Sequence, residues 1–165
     1  MKRVYVDGYN VINSWNELKK FTLAIAREKL EEYMIDYASF YDCDVVIVYD
    51  AHRISGNSEH IEILNKLTII YTKDGETADS YIERSVDILN KRIEVLVVTS
   101  DNLEQQIIFG RGAQRMSSKE FELEFFKAKE AIVKKIENVS MNKTNKLSDL
   151  IDEESLKIFE DFRRN

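Results

Sequence analysis

Four acidic residues in this 165-residue chain stand at comparable places, each just after a strand-like run or at the start of the helical pattern that follows one. Val4-Tyr5-Val6 leads into Asp7, Val45 to Tyr49 into Asp50, and Val95 to Thr99 into Ser100-Asp101. The fourth, Asp79, closes Gly75-Glu76-Thr77-Ala78-Asp79 and is expected in the first helical turn after the run Leu67 to Tyr71. Carboxylates gathered within a few ångströms raise one another's pKa, and a divalent cation relieves the repulsion. An oxygen-only ligand set suits Mg²⁺ or Mn²⁺, and no Cys or His cluster offers a zinc site. Ions of this type, about 3.5–4 Å apart where two are present, activate water and stabilise the leaving oxygen in phosphodiester cleavage.

The elements that position these acids follow from the hydrophobic pattern. The four runs are β-branched or aromatic and nearly continuous, as strands covered on both faces should be. Leu23, Ala26, Leu30, Tyr33, Met34, Tyr37 and Tyr41 recur at helical spacing between the first two, and Ala78, Ile82, Val86 and Leu89 between the last two. Strand, helix, strand at this rhythm predicts an α/β fold with a mainly parallel sheet. In such a sheet the C-terminal strand ends share one edge, the usual ligand crevice. Further along, Leu103 to Phe109 reads as a helix, Ala113 to Met116 as a short edge strand, and Ser118 to Ile136 as a long closing helix. Ser117 and Glu120 have the spacing of a capping box at its start. The stretch 138–146 reads as linker-like, and Leu156, Phe159 and Phe162 as a short amphipathic helix that folds back onto the domain. The expected organisation is one α/β domain over 1–137 and an extension over 138–165.

Helix geometry sorts the secondary acids. Asp79, Glu83 and Asp87 form a stripe, but at 1.5 Å per residue Glu83 lies about 6 Å and Asp87 about 12 Å along the axis from Asp79. Glu83 is therefore a further metal candidate and Asp87 is not. Asp42-Cys43-Asp44 precedes its strand and belongs to the opposite edge.

Each acid also has a plain structural reading. An Asp after a strand is commonly a helix N-cap, and Asp101 with Glu104 has capping-box spacing. The coincidence of several strand ends favours catalysis. Asn10 could position a carboxylate or contact phosphate, or serve a turn. His52 could bind substrate or move a proton, or be an ordinary loop histidine. Tyr9 and Trp15 could stack on bases or cover core. Arg111 and Arg115 are candidate phosphate contacts near the fourth run.

Composition narrows the class. One cysteine, Cys43, permits no internal disulfide, and no run approaches the roughly 20 apolar residues of a membrane span. Met1-Lys2-Arg3 leads into a strand rather than a signal sequence, so a cytoplasmic location is expected. The net charge of -6 argues against a generally basic nucleic-acid surface. Charge is uneven, however: residues 127–146 hold six lysines against Glu130 and Glu137, whereas residues 147–165 are acidic. Lys134, Lys135, Lys143 and Lys146 are therefore candidate phosphate contacts, set against the alternative of a solvated helix face and linker.

Five ordered blocks also resemble a known family: Val6 to Asn10 (VDGYN), Val48 to His52 (VYDAH), Thr72 to Asp79 (TKDGETAD), Val98 to Asp101 (VTSD) and Phe109 to Ser118 (FGRGAQRMSS). Over roughly the first 120 residues the chain resembles the YacP-like NYN-domain proteins of the PIN-like nuclease superfamily. The resemblance implies a PIN-like three-layer α/β/α fold and endoribonuclease activity, with catalytic positions at Asp7, Asp50, Asp79 and Asp101. It implies metal ligation by Asp7, Asp79 and Asp101, with Asp50, Glu76 and Glu83 as further candidates. Because the group includes a ribosome-associated mRNA endonuclease, it also implies mRNA and the ribosome as partners. The competing reading is a noncatalytic adaptor that keeps the fold and binds RNA or ribosome. A haloacid-dehalogenase-type phosphatase is disfavoured, since Tyr9 stands where its second acid would be.

Overall fold

The computed structural model describes residues 1–50, 59–89, 92–100 and 112–149, the last of these as backbone alone at 135, 136 and 138–149. Six strands form one sheet: β1 (Lys2–Asp7), β2 (Asp44–Tyr49), β3 (His60–Leu64), β4 (Leu67–Tyr71), β5 (Glu94–Val98) and β6 (Gln114–Met116). Their order is β3-β4-β2-β1-β5-β6, and every pairing is parallel except that of β3 with β4. The helices are α1 (Gly8–Ser14), α2 (Leu23–Tyr41), α3 (Ala78–Ile88) and α4 (Ser118–Asp149), with a single 3-10 turn at Leu18–Lys20.

Alternation along the central strands divides the core. Tyr5, Val46, Val48, Ile70, Val95 and Val97 form a buried cluster with Ala78, Ile82 and Val86 of α3. Their sequence neighbours Val4, Val6, Val45, Ile47, Tyr49 and Ile69 are also buried, and a strand turns successive side chains to opposite faces. Covering both faces is what makes these runs continuous rather than alternating. On the second side Trp15 is wholly buried and lies 5.8 Å from Phe121 and 5.7 Å from Phe125 between ring centroids. Its indole N–H donates to the Ser118 carbonyl at 2.7 Å, which fixes the start of α4 against the segment after α1. The result is the mainly parallel sheet expected from the pattern, in the three-layer arrangement that the resemblance implies.

The structure departs from the expected elements at three places. Strand β3 has no counterpart among them; it returns antiparallel to β4 after Asn65, which takes the left-handed region (φ 57°) that Asn tolerates. Helix α1 is likewise additional, and it begins immediately at Gly8. The closing helix does not stop at Ile136 but continues to Asp149, so the stretch 138–146 is helical rather than linker-like. No proline or glycine interrupts the sequence from Ala113 onward, which removes the two residues most costly to a helix. The expected helix 103–109 and the C-terminal helix around Leu156 lie outside the described residues.

The chain divides into two compact units, Met1–Phe125, which contains the whole sheet, and Phe126–Asn165. Among the described residues no helix is long and apolar enough to cross a membrane.

Candidate active site at the carboxyl ends of the strands

Asp7 ends β1 and caps α1 at once. Its Oδ1 accepts the Asn10 backbone N–H at 3.0 Å, satisfying one of the donors that a helix start leaves free. Gly8 makes this sharp transition possible. A Cβ on Gly8 would stand 2.3 Å from Tyr49 Cε1, 2.5 Å from Tyr49 Cδ1 and 2.9 Å from Ile47 Cγ2. The glycine therefore lets α1 begin directly against β2, keeping Asp7 at the sheet edge.

Asp50 follows the last residue of β2, and Asp79 lies in the first turn of α3, which Thr77 caps by accepting the Ser80 N–H at 3.2 Å. The electrostatics of Asp7 show which acids meet. Its pKa is pushed up to about 7, chiefly by burial, against the lowering effect of the Asn10 N–H; the Asp79 charge, a hydrogen bond with the Asp79 carboxyl and the Asp50 charge raise it further. Asp7 and Asp79 thus form a carboxyl pair with Asp50 close enough to act through its charge. Like charges at such range favour one shared proton or a cation.

The loop before α3 is fixed by Thr72, buried at the end of β4, whose hydroxyl donates to the Glu76 carbonyl at 2.7 Å. Gly75 sits in the left-handed region (φ 84°) that allows the turn. Glu76 Oε1 accepts from Arg84 at 2.9 Å, while Glu76 Oε2 is buried with no hydrogen-bond partner. Glu83 is half-buried one turn beyond Asp79 on α3.

Asn10 holds several chain segments together. Its Oδ1 accepts the Ser118 hydroxyl at 2.6 Å and the Ser100 backbone N–H at 3.2 Å, and the Ser118 N–H in turn donates to the Ser100 hydroxyl at 3.3 Å. The start of α1, the end of β5 and the start of α4 are joined by these bonds. Ser100 and Ser118 take part in this tie, a role to which the sequence reading assigns neither. Ser118 follows the recognised cap Ser117, whose reciprocal bonds with Glu120 are present at 2.9, 2.7 and 3.2 Å.

The remaining candidates divide by place. Tyr9 and Trp15 are buried and belong to the core rather than to an open stacking surface. Arg115 is exposed on β6, and Lys134 is exposed on α4. Asp101, His52 and Arg111 lie outside the described residues, as do the side chains of Lys135, Lys143 and Lys146. Asp42 and Asp44 stand at the opposite edge, paired with Lys66 and Arg3 respectively.

The donor chemistry fits a divalent cation. The meeting groups are all carboxylates, Asp7 resists ionisation without a counter-charge, and Glu76 carries a buried oxygen that nothing satisfies. Among the described residues, however, no group of three or more His, Cys, Asp or Glu is close enough to hold an ion by itself.

Comparison with known proteins agrees with this arrangement. The family model described as the YacP-like NYN domain matches residues 4–164. "Uncharacterized protein YacP" from Bacillus subtilis (strain 168) is 36% identical over 169 residues, covering 99% of this chain and 98% of that protein. The crystal structure of Rae1 (YacP) from Bacillus subtilis superposes with a TM-score of 0.73 at 34% identity, covering 100% of this chain and 96% of that one. A crystal structure of a mutant form of the same Bacillus protein gives a TM-score of 0.74 at 32% identity over 86% and 85% of the two chains. With the fold, the strand-end acids and a match over nearly its whole length in agreement, the chain belongs to the YacP-like NYN domain family.

Proposed function

We propose that this chain is a divalent-metal-dependent endoribonuclease that cleaves mRNA in the cytoplasm, in association with the translating ribosome. The Asp7–Asp79 carboxyl pair at the C-terminal edge of a parallel sheet carries the reading, because Asp7 stands where burial opposes its charge and a counter-charge is needed. Membership of an NYN family supports a nuclease-type, RNA-binding protein, and NYN and PIN-like nucleases generally use divalent metals.

In this reading Asp7, Asp79 and Asp101 hold the cation, Mg²⁺ or Mn²⁺, with Asp50, Glu76 and Glu83 as additional oxygen donors. When bound, the cation supplies Lewis-acid stabilisation of charge at a phosphodiester. The protein's own part is orientation: the Asn10 N–H holds Asp7, and Asn10 Oδ1 holds Ser100 beside Asp101 in sequence. Asn10, His52, Arg111 and Arg115 are assigned to substrate contact, and Lys134, Lys135, Lys143 and Lys146 to RNA or ribosome contact. The nuclease domain is assigned to 1–137 and the extension to 138–165. An acidic chain with one lysine-rich segment suits RNA delivered by a ribosome better than tight capture of free RNA.

A noncatalytic RNA- or ribosome-binding adaptor that keeps the fold is the second reading; a missing strand-end acid would favour it, and all four acids are present in the sequence. End mapping of RNAs on purified translating ribosomes decides between them. New ends that require the protein and Mg²⁺ or Mn²⁺, and vanish with Asp7→Asn, support the nuclease; ribosome association without new ends supports the adaptor.

A further inference from the structure

Strand β3 stands at one end of the sheet, and the bonds of its neighbour β4 show which of its backbone groups face outward. Just before β4 the Lys66 carbonyl accepts the Val45 N–H at 2.9 Å, and just after it the Thr72 N–H donates to the Tyr49 carbonyl at 3.0 Å. Backbone direction alternates along a strand, so the even-numbered residues here turn to β2 and the odd-numbered ones to β3. Opposite Leu67, Ile69 and Tyr71 stand Leu64, Glu62 and His60, which are therefore the β3 residues bonded to β4. The N–H and C=O of Ile61 and Ile63 point away from the sheet, and no strand lies beyond them among the described residues.

An edge of this kind is usually blunted by lysine, proline or a bulge. The β3 sequence HIEIL contains neither residue, and its register with β4 runs unbroken through five pairs. Its outward-bonding residues are also β-branched and open to solvent, Ile61 at 49% and Ile63 at 72%. Both side chains lie on the α3 side of the sheet, opposite Ile70 and Thr68. His60 and Glu62 lie on the other side and already attract one another, with Nε2 and Oε1 2.9 Å apart. A strand with free ladder groups, exposed isoleucines and a histidine two residues from an acid is complementary to an antiparallel copy of itself.

We propose that β3 pairs with β3 of a second copy of this chain, antiparallel about a two-fold axis at Ile61, joining two sheets into one. Charge selects the register. Centred on Glu62, the pairing would set two glutamates directly opposite in the closer, non-hydrogen-bonded type of pair, where like charges are unfavourable. Centred on Ile63, it would carry Ile61 against the turn residue Asn65. Centred on Ile61, it sets His60 against Glu62 of the partner subunit on both sides of the axis. The outward groups of Ile61 then bond to their own copies, and those of Ile63 to Glu59 of the partner subunit. The contact is isologous, so it closes at two chains. A ladder this short is small beside the about 1,200–2,000 Å² of a stable interface, so exchange with monomer at roughly 10–100 μM is expected. The pairing is independent of the nuclease reading.

Sedimentation velocity of the full chain from low micromolar to submillimolar concentration, with amide hydrogen exchange at both ends of the series, tests this. Reversible dimerisation is expected. Exchange at Ile61 and Ile63 should slow at least threefold at high concentration, while His60, Glu62 and Leu64, already bonded to β4, change less. Ile63→Lys, at an exposed position, should weaken dimerisation at least tenfold. Glu62→Lys should weaken it at least threefold, and adding His60→Glu should restore it by reversing the pair. The exchange measurement uses the parent chain, so a variant that fails to fold leaves the test standing. A chain that stays monomeric throughout would overturn the proposal. In that case freely exchanging Ile61 and Ile63 amides would mark an edge open to a foreign strand, and amides protected at every concentration one covered by its own chain. A dimer indifferent to Ile63→Lys would form through another surface and would overturn it as well. Dimerisation strengthened by Glu62→Gln would overturn the Ile61-centred register in favour of one centred on Glu62.

Discussion

Ser118 donates its hydroxyl to the Asn10 amide oxygen at 2.6 Å, joining residues 108 positions apart in sequence. Because the same oxygen also accepts from the Ser100 N–H, this one amide couples the segment after Asp7 to the segment before Asp101. Asn10→Ala removes the acceptor of both bonds and leaves the fully buried Ser118 without its hydroxyl partner. The expected loss of stability is about 1–3 kcal/mol, the scale for stranding a buried polar group. Ser118→Ala should cost less, since Asn10 keeps the Ser100 contact. Urea unfolding of the two variants checks the order; equal and negligible losses would show that the bonds do not hold the strand ends together.

Asp7→Asn and Asp79→Asn are each expected to abolish cleavage while leaving the fold and ribosome association intact. Neither substitution changes side-chain volume much, so a loss of activity in a folded variant reports the missing charge. The assay is end mapping on translating ribosomes beside cosedimentation. Full cleavage by either variant would remove the carboxyl pair from the mechanism.

The raised pKa of Asp7 sets a pH dependence with a definite sign. In the unfolded chain the carboxyl ionises near its ordinary value of 3.8, but in the folded protein it does so at about 7. Between those values the folded state holds the proton that the unfolded state has released, so the stability of the metal-free protein falls as pH rises from about 4 to 7. The change is on the order of a few kcal/mol. Asp7→Asn should flatten this slope and raise the melting temperature at pH 8 without metal. Saturating Mg²⁺ should recover stability in the parent chain far more than in the variant, because a ligand stabilises only the state that binds it. A parent chain whose metal-free melting temperature is flat over this window would refute the burial argument.

Gly8→Ala tests the close approach of α1 to β2. The added Cβ would meet the buried Tyr49 ring at 2.3 Å, and that ring is itself stacked on Tyr71 with centroids 5.4 Å apart. With little room to yield, the substitution should cost about 1–3 kcal/mol, as overpacking does, and displace Asp7 enough to reduce activity. A neutral effect on both would mean that Tyr49 moves freely.

The parts of this molecule legible in its sequence are those with a strong local signal. Continuous apolar runs mark β1, β2, β4 and β5, and periodicity marks α2 and α3, so the shared edge of Asp7, Asp50 and Asp79 could be expected. Strand β3 escapes that reading although Ile61-Glu62-Ile63 alternates and Asn65-Lys66 offers a two-residue turn before Leu67. All five β3 residues are exposed, so no buried run marks it. Helix α1 is hidden because VDGYNVINS has a glycine at its start and β-branched residues within it, both poor helix formers. Tertiary burial of Gly8, Tyr9, Val11 and Ile12 overrides that propensity. The Asn10–Ser118 bond cannot be read locally at all, since nothing near either residue announces a partner 108 positions away.

The lysine-rich segment gains a sharper test from its helical backbone. As a linker, residues 138–146 would present lysines without order; within α4, positions follow at 3.6 residues per turn. On that spacing positions 127, 134, 135, 143 and 146 fall within roughly half of the helix circumference, which concentrates positive charge on one side of a helix in an acidic protein. Changing Lys134, Lys135, Lys143 and Lys146 together to Glu is therefore expected to weaken RNA or ribosome binding while metal binding by Asp7 and Asp79 persists. If two to four of these lysines meet phosphates, the slope of log affinity against log salt should become shallower by about 0.7–0.9 for each phosphate no longer neutralised. Sedimentation with ribosomes across a salt series measures both quantities. Unchanged affinity and slope in a folded quadruple variant would leave these lysines as solvated surface and move the search for phosphate-binding residues to Arg111 and Arg115.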